Sequence, residues 1–459
     1  MASVGRSPWR TVGSLGVVVV GLPVAAWAFP ESAWAWVPWI VLGLAAGAIA
    51  GRAGLVWLVW LGVAAWFALE LLIGEPRTGP LWLVWAVVDA VAVAALVSAA
   101  FVVGTWIGWR RDPWAGARSA WRGMSPGQRR LSGGAVVVAC LVLVGYMGVA
   151  AVIGSSVLLG SAAVRAPCET PGTRFGWEYE AINYDQADDL RLVAENPDLE
   201  RCRSQGSTAG GEVLSSDAVP IAGWYIPAAN GAGPTGPTVL IVHGGKTNKS
   251  GVLKYAPPFH EAYNLVLLDL RNSGRSGAAD STWGLREKLD LRAMIDWLVR
   301  VKGPAWIGVM GNSNGAATAL AEAGDDPRVR ALVLDSMHAA VSTQLRRVLE
   351  TEEPYPPWPT AWAMVMGASL RIGADIASVD PVRTITRLGD RPVLLIHGAA
   401  DIVDRPDESA ERNLQAAMAA GVTVGLQVCP GAEHGEVINT CPEAWAQWAV
   451  SFMTAAQAD

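Results

Sequence analysis

The chain has 459 residues, of which 52% are hydrophobic and 17% charged, and it carries a net charge of −6. That acidic balance excludes a nucleic-acid binder, which would present a basic face. The length points to more than one domain. Because apolar, tryptophan-rich segments crowd the first third and charge returns after about Arg165, a membrane half joined to a soluble half is expected.

Five apolar stretches come first, at about 12–29, 33–50, 54–73, 81–107 and 131–157. Each is long enough to cross a bilayer as a helix, which takes ~20 residues. The first also offers a small-residue cleavage site at Ala25-Ala-Trp-Ala-Phe29. It reads as a retained helix because more spans follow at once, a cleaved signal peptide being the alternative. Arg6 and Arg10 precede the first span and Arg52 lies between the second and third. Arg110, Arg111, Arg118, Arg122, Arg129 and Arg130 fill the loop before the fifth. The connections on the other side carry only Arg77, so the N-terminus is predicted inside. Residues 1–164 then form a transmembrane domain of about five helices, and residues 165–459 lie outside the cytoplasm. Glu70 and Asp89 fall within this region. Ionisable groups in hydrocarbon are functional candidates, but neither broken helices nor rows of charge suggest a transporter.

Beyond Arg165 the pattern changes. The segment 174–185 alternates as a first strand, Val219–Pro227 reads as another, and 228–237 is a Gly/Pro/Asn loop. Unalternating apolar runs follow at Thr238–Val242, Asn264–Asp269, Ala305–Met310, Val329–Asp335, Pro392–Ile396 and Val422–Val428. Such runs suit parallel strands covered on both faces. Helical patterns lie between them, near 251–262, 285–301, 316–323, 406–420 and 442–456, giving a doubly wound α/β architecture. A segment at about 337–379 interrupts the alternation and is too long for an ordinary loop. It reads as a small helical cap.

The chemistry concentrates in Gly311-Asn312-Ser313-Asn314-Gly315, a G-x-S-x-G elbow between a strand and a helix. A strand turning sharply into a helix crowds the backbone around Ser313, so the residues two before and two after lack side chains. The Asn314 amide, at the helix N-terminus, is free to bind a developing oxyanion. Ser313 needs an adjacent base oriented by an acid. Of five histidines, His243 and His397 sit in His-Gly turns after strands, His260 falls on a helix and His338 enters the cap. His434 occupies the loop between the last strand and the final helix.

From these residues the chain resembles the α/β-hydrolase superfamily over roughly 170–457. The resemblance rests on Val242-His-Gly-Gly245, Asp269-Leu-Arg-Asn-Ser-Gly-Arg-Ser-Gly277, the elbow, Leu395-Ile-His-Gly-Ala-Ala-Asp401 and Pro430-Gly-Ala-Glu-His434. It is closest to membrane-anchored bacterial serine hydrolases with a short cap. The resemblance implies His434 as the base and Asp401 as the acid, with Asp404 and Asp335 as competitors. It also implies the Gly245 amide as the second oxyanion donor opposite Asn314. The loop Gly244-Gly-Lys-Thr247 lacks the leading glycine of a phosphate loop, and Asp269 and Arg271 read as braces of a strand end. No cofactor and no metal site is expected.

Four cysteines, Cys168, Cys202, Cys429 and Cys441, fall in the soluble part, with Cys140 in the fifth span. Four permit three pairings; proximity favours Cys429–Cys441 and Cys168–Cys202, as an oxidising compartment would allow. The reading is a multi-pass cell-membrane protein with an extracytoplasmic hydrolase domain that cleaves a small-molecule or lipid-like ester. Peptidase and acyltransferase reactions use the same groups. A scaffold or sensor without turnover, and a transporter half with Asp89 in its path, are the readings from other classes. The residues do not specify an oligomeric state.

Overall fold

The computed structural model of the chain describes residues 123, 125–160, 169–189, 212–351 and 357–458. The chain divides into two units, Met1–Ala150 and Ala151–Asp459. Of the first, residue 123 and residues 125–150 are described, all but residue 123 flanking or within helix α1 (Pro126–Leu159). The first four expected spans, with Glu70 and Asp89, lie outside the described residues. The fifth falls on α1, whose side chains are described at Pro126 and Gly127 and from residue 143 onward. Among the described residues no helix is long and apolar enough to cross a membrane.

After the end of α1 the second unit continues with α2 (Pro171–Phe175), β1 (Glu180–Ile182) and β2 (Gly223–Ile226). Only three residues of the segment 174–185 are strand. Thr170 and Thr173 form a reciprocal capping box that starts α2, and Gly176 ends it at φ 71°, so local capping overrides the alternation there. Next come β3 (Thr238–Val242), α3 (Pro257–His260), β4 (Asn264–Leu268), α4 (Glu287–Val301), β5 (Ile307–Asn312) and α5 (Asn314–Ala323). The helix expected near 251–262 is a 3₁₀ turn at Lys249–Tyr255 followed by the four residues of α3. Pro257 and Pro258 supply no N–H, and they interrupt a continuous helix. The chain continues with β6 (Ala331–Asp335), α6 (Val341–Thr351), α7 (Pro357–Ile372), α8 (Pro381–Thr384), β7 (Val393–Gly398), α9 (Ala410–Ala419), β8 (Val424–Cys429), α10 (Val437–Thr440) and α11 (Pro442–Ala458).

The strands form one sheet in the order β1-β2-β4-β3-β5-β6-β7-β8. β1–β2 and β2–β4 are antiparallel; the remaining pairs are parallel. All five residues of β3, Thr-Val-Leu-Ile-Val, are buried. Leu240 and Val242 enter a core with Met294 and Leu298 of α4 and Leu320 of α5. Val239 and Ile241, pointing the other way, join Phe259 of α3 and Trp445 and Met453 of α11. Helices on both faces are therefore what make the strands unalternating. Each fully buried aliphatic chain contributes about 2 kcal/mol to that arrangement.

Between β6 and β7 stand α6 and α7. Leu345, Leu349, Met364, Ala368 and Ile372 pack there around Leu158 and Leu159 at the end of α1. The last carbonyls of α1 find donors outside the helix: Ser281 N–H reaches Leu159 O at 2.9 Å and Trp283 Nε1 reaches Leu158 O at 3.0 Å. Helix ends need such partners.

Candidate active site

Strand β5 delivers Ser313 to the C-terminal edge of the sheet, where Ser313 N–H donates to Asp335 O of neighbouring β6 at 2.8 Å. Ser313 adopts φ 53° and ψ −121°, a strained conformation for a residue with a side chain. The flanking glycines have a steric reason. A Cβ on Gly311 would fall on Gly315 O and the Ala316 backbone, and one on Gly315 would fall on the carbonyls of Val242 and His243. The elbow is thus clamped between its own helix and the end of β3.

His434 arrives on the loop after β8. Its Nδ1 lies 2.8 Å from Asp401 Oδ2, and its Nε2 lies 2.9 Å from Ser313 Oγ. Since Asp401 can only accept when ionised, Nδ1 carries the proton and Nε2 is left to accept from the serine hydroxyl. Burial of the imidazole works against its charged form, but the hydrogen bond and charge of Asp401 outweigh it and lift His434 above the ordinary histidine value. Asp401 is buried too, which would raise its carboxyl; hydrogen bonds from His397 and His434 instead hold it well below the usual carboxylate range. Val403 N–H and Asp404 N–H both donate to Asp401 Oδ1, at 3.0 and 2.8 Å.

The acid and base loops are knitted by their backbones. Ala399 N–H donates to Cys429 O and Ala400 N–H to Ala432 O, both at 2.9 Å. A Cβ on Gly398 would collide with Ala432 O. On the far side of His434, Gly435 N–H donates to Ser336 Oγ at 3.1 Å and Lys254 Nζ donates to Gly435 O at 3.0 Å. A Cys429–Cys441 disulfide, with Cα atoms 6.3 Å apart, brackets the histidine loop. The expected Cys168–Cys202 pair lies outside the described residues.

Gly244 and Gly245 run beside the elbow. A Cβ on Gly244 would stand 3.1 Å from Ser313 Cβ, and one on Gly245 3.0 Å from Asn314 Nδ2. Neither the Gly245 nor the Asn314 amide is taken up by a backbone carbonyl in a turn or loop. The loop is anchored from behind: buried Asp269 accepts from the Lys249 amide at 2.9 Å, from the Lys249 ammonium and from the Arg275 amide at 2.9 Å. His243 accepts Leu270 N–H on Nε2 at 3.0 Å, and Arg271 spans Asp217 and Asp290. These groups brace strand ends.

The structure thus brings Ser313, His434 and Asp401 into one hydrogen-bonded line with Gly245 and Asn314 at its serine end. The competitors differ in place. Asp335 is tied to Ser336 and to Trp445 Nε1 at 2.8 Å each. Asp404 lies with Oδ2 3.8 Å from His434 Nδ1. Two features escape a reading by spacing. Tyr255 OH accepts Asn312 Nδ2 at 3.0 Å, and Gln344 Nε2 of α6 donates to Asp404 Oδ2 at 2.9 Å. The signal for Gln344 is the buried helical stripe Val341, Gln344, Leu345, Leu349, in which it is the one polar member. Among the described residues no His/Cys/Asp/Glu group is arranged to hold a metal.

Residues 237–363 match a family model described as the alpha/beta hydrolase fold. The uncharacterized protein YqkD of Bacillus subtilis (strain 168) is 32% identical over 168 residues, which are 36% of this chain and 55% of that protein. The chain therefore spans about half the length of the curated relative it matches. Among solved structures, the esterase Pf2001 of Pyrococcus furiosus is 23% identical with a TM-score of 0.47, covering 64% of this chain and 99% of the esterase. An acylaminoacyl peptidase of Pyrococcus horikoshii is 17% identical with a TM-score of 0.40, covering 52% of this chain and 39% of the peptidase.

Proposed function

We propose, for a chain that belongs to the α/β-hydrolase superfamily, the activity of a membrane-bound serine hydrolase acting on ester-like bonds. The observation that carries this reading is the unbroken relay from Ser313 Oγ to His434 Nε2 at 2.9 Å and from His434 Nδ1 to Asp401 Oδ2 at 2.8 Å.

In the proposed cycle, Ser313 Oγ attacks the substrate carbonyl carbon while His434 Nε2 takes the hydroxyl proton. Asp401 stays ionised and holds the imidazolium in orientation. The negative charge moves to the carbonyl oxygen, where the Gly245 and Asn314 amides donate to it. Losing one such donor costs about 3 kcal/mol of transition-state stabilisation. His434 then protonates the departing alcohol oxygen as the carbon–oxygen bond breaks. Water, deprotonated by the same nitrogen, attacks the acyl-Ser313 ester, and collapse returns the proton to Ser313.

The apolar stretches of the first third support membrane anchoring, and their arginine placement supports an outside location for the hydrolase domain. The Cys429–Cys441 bridge fits an oxidising compartment. Exposed Trp362 and Leu370 on α7 favour a lipid-like acyl group. The reading is tested by hydrolysis of carboxylic esters of graded chain length. Wild type is expected to turn over esters, with a preference for longer acyl chains, and Ser313→Ala is expected to be inert. Equal turnover by Ser313→Ala removes the reading; a preference for the shortest chains removes its lipid-like part.

A further inference from the structure

Asp404 is almost wholly buried, as is Gln344 beside it. The Gln344 carboxamide uses one end, Nε2, to donate to Asp404 Oδ2 at 2.9 Å. The other two atoms of the facing groups, Asp404 Oδ1 and Gln344 Oε1, are both buried and without a hydrogen-bond partner. An ionised carboxylate and an amide oxygen are both acceptors, so neither can satisfy the other. A proton on the Asp404 carboxyl turns one of these unpartnered acceptors into a donor. Exchanging the amide nitrogen and oxygen, which X-ray density itself would not distinguish, leads to the same conclusion. Oε1 would then face Oδ2 at 2.9 Å, and two acceptors at that distance need a proton between them.

We propose that Asp404 is a positioning residue for His434: in the resting protein Asp404 carries a proton shared with the Gln344 carboxamide of α6, so that it adds no negative charge to that of Asp401 on the imidazole. The proton balance is simple. Removing the Asp404 proton would set a second negative charge 3.8 Å from His434 Nδ1, making the imidazole a stronger base that holds its own proton to higher pH. The ionisable groups acting on Asp404 are His434 from the loop after β8, Asp401 from its own loop and His397 from the end of β7. The two arginines beside Gln344 on α6, Arg346 and Arg347, pair with Glu350 and Glu408. Burial pushes the Asp404 carboxyl up to about 7; the His434 charge pulls against it and the Asp401 carboxylate adds to the rise. Two interacting acids near a histidine titrate as a coupled set, and here the cap supplies the group that fixes which of them keeps the proton.

The test uses the full-length protein and two readouts, the first independent of turnover. Subtracting the infrared spectrum of Asp404→Asn from that of wild type at about pH 6 is expected to leave the carbonyl stretch of one protonated carboxylic acid, while the bands of other buried acids such as Asp290 and Glu322 cancel. That difference band should fade as pH rises through about 7, and in Gln344→Leu it should move to the frequency of an unbonded acid. The second readout is the pH profile of kcat/KM, which rests on the serine hydrolase reading. Asp404→Asn, a neutral isostere that can keep the amide pair, is expected to retain the acid limb of wild type and to lose the second inflection near pH 7. A wild-type minus Asp404→Asn difference without that band overturns the proposal. So does an acid limb displaced downward by roughly one pH unit, since that marks an Asp404 ionised in the resting protein. Failure of the hydrolase reading would show instead as absent turnover with the infrared band intact.

Discussion

Ser313 is held where no relaxed serine would sit, at φ 53°, because Gly311 and Gly315 let the elbow close on the carbonyls of β3 and on α5. The proposed catalytic roles follow from what each neighbour can do with a proton. His434 must be neutral to accept the Ser313 proton, and Asp401 lifts it above the ordinary histidine value. Activity should therefore fall as pH drops through a midpoint above that value, the protonated base being inert. Asp401→Asn removes the charge that raises it and is expected to move the midpoint down and lower kcat by roughly 10⁴-fold. A kcat/KM profile that is flat between about pH 5 and 8 would contradict this assignment. The residues of the relay were legible in the chain because Gly spacing, a strand before Ser313 and the loop positions of Asp401 and His434 each leave a local mark. Gln344 was not, since its partner Asp404 lies 60 positions away and no local pattern relates a cap helix to an acid loop.

At the level of elements, the sheet was readable from its apolar runs. Burial on both faces demands continuous hydrophobic strands, and these appear at β3 to β7, with β8 at the sheet edge left half-buried. The losses came where capping or proline chemistry rules, at α2 and α3. The histidine loop shows what an element adds to a residue. Its backbone is tied to the acid loop, to Ser336 and to Lys254, and a disulfide joins its ends across 12 residues. Replacing both Cys429 and Cys441 by serine should lower stability by at most about 3 kcal/mol through loop entropy. It should also reduce kcat more than it changes KM, because the base loses register with Ser313 while the acyl site is untouched. Urea unfolding and steady-state kinetics of the double variant check this; unaltered stability together with unaltered kcat would contradict it.

For the molecule as a whole, the proposal is an α/β domain that follows an apolar first third, whose arginine placement predicts an outside location for that domain. Within the second unit, α6 and α7 pack around Leu158 and Leu159 at the end of α1. Composition predicted that division because the demands of bilayer and water differ so sharply. It could not predict how α6 reaches the acid loop, which depends on side chains meeting across the sheet edge. The most direct measurement is labelling of the full-length protein in right-side-out vesicles with a membrane-impermeant fluorophosphonate, followed by peptide mapping. The account predicts an adduct on Ser313 in wild type without detergent, and none in Ser313→Ala. An adduct elsewhere, or no adduct even after detergent, would contradict the catalytic relay, and an adduct that forms only after detergent would contradict the outside placement.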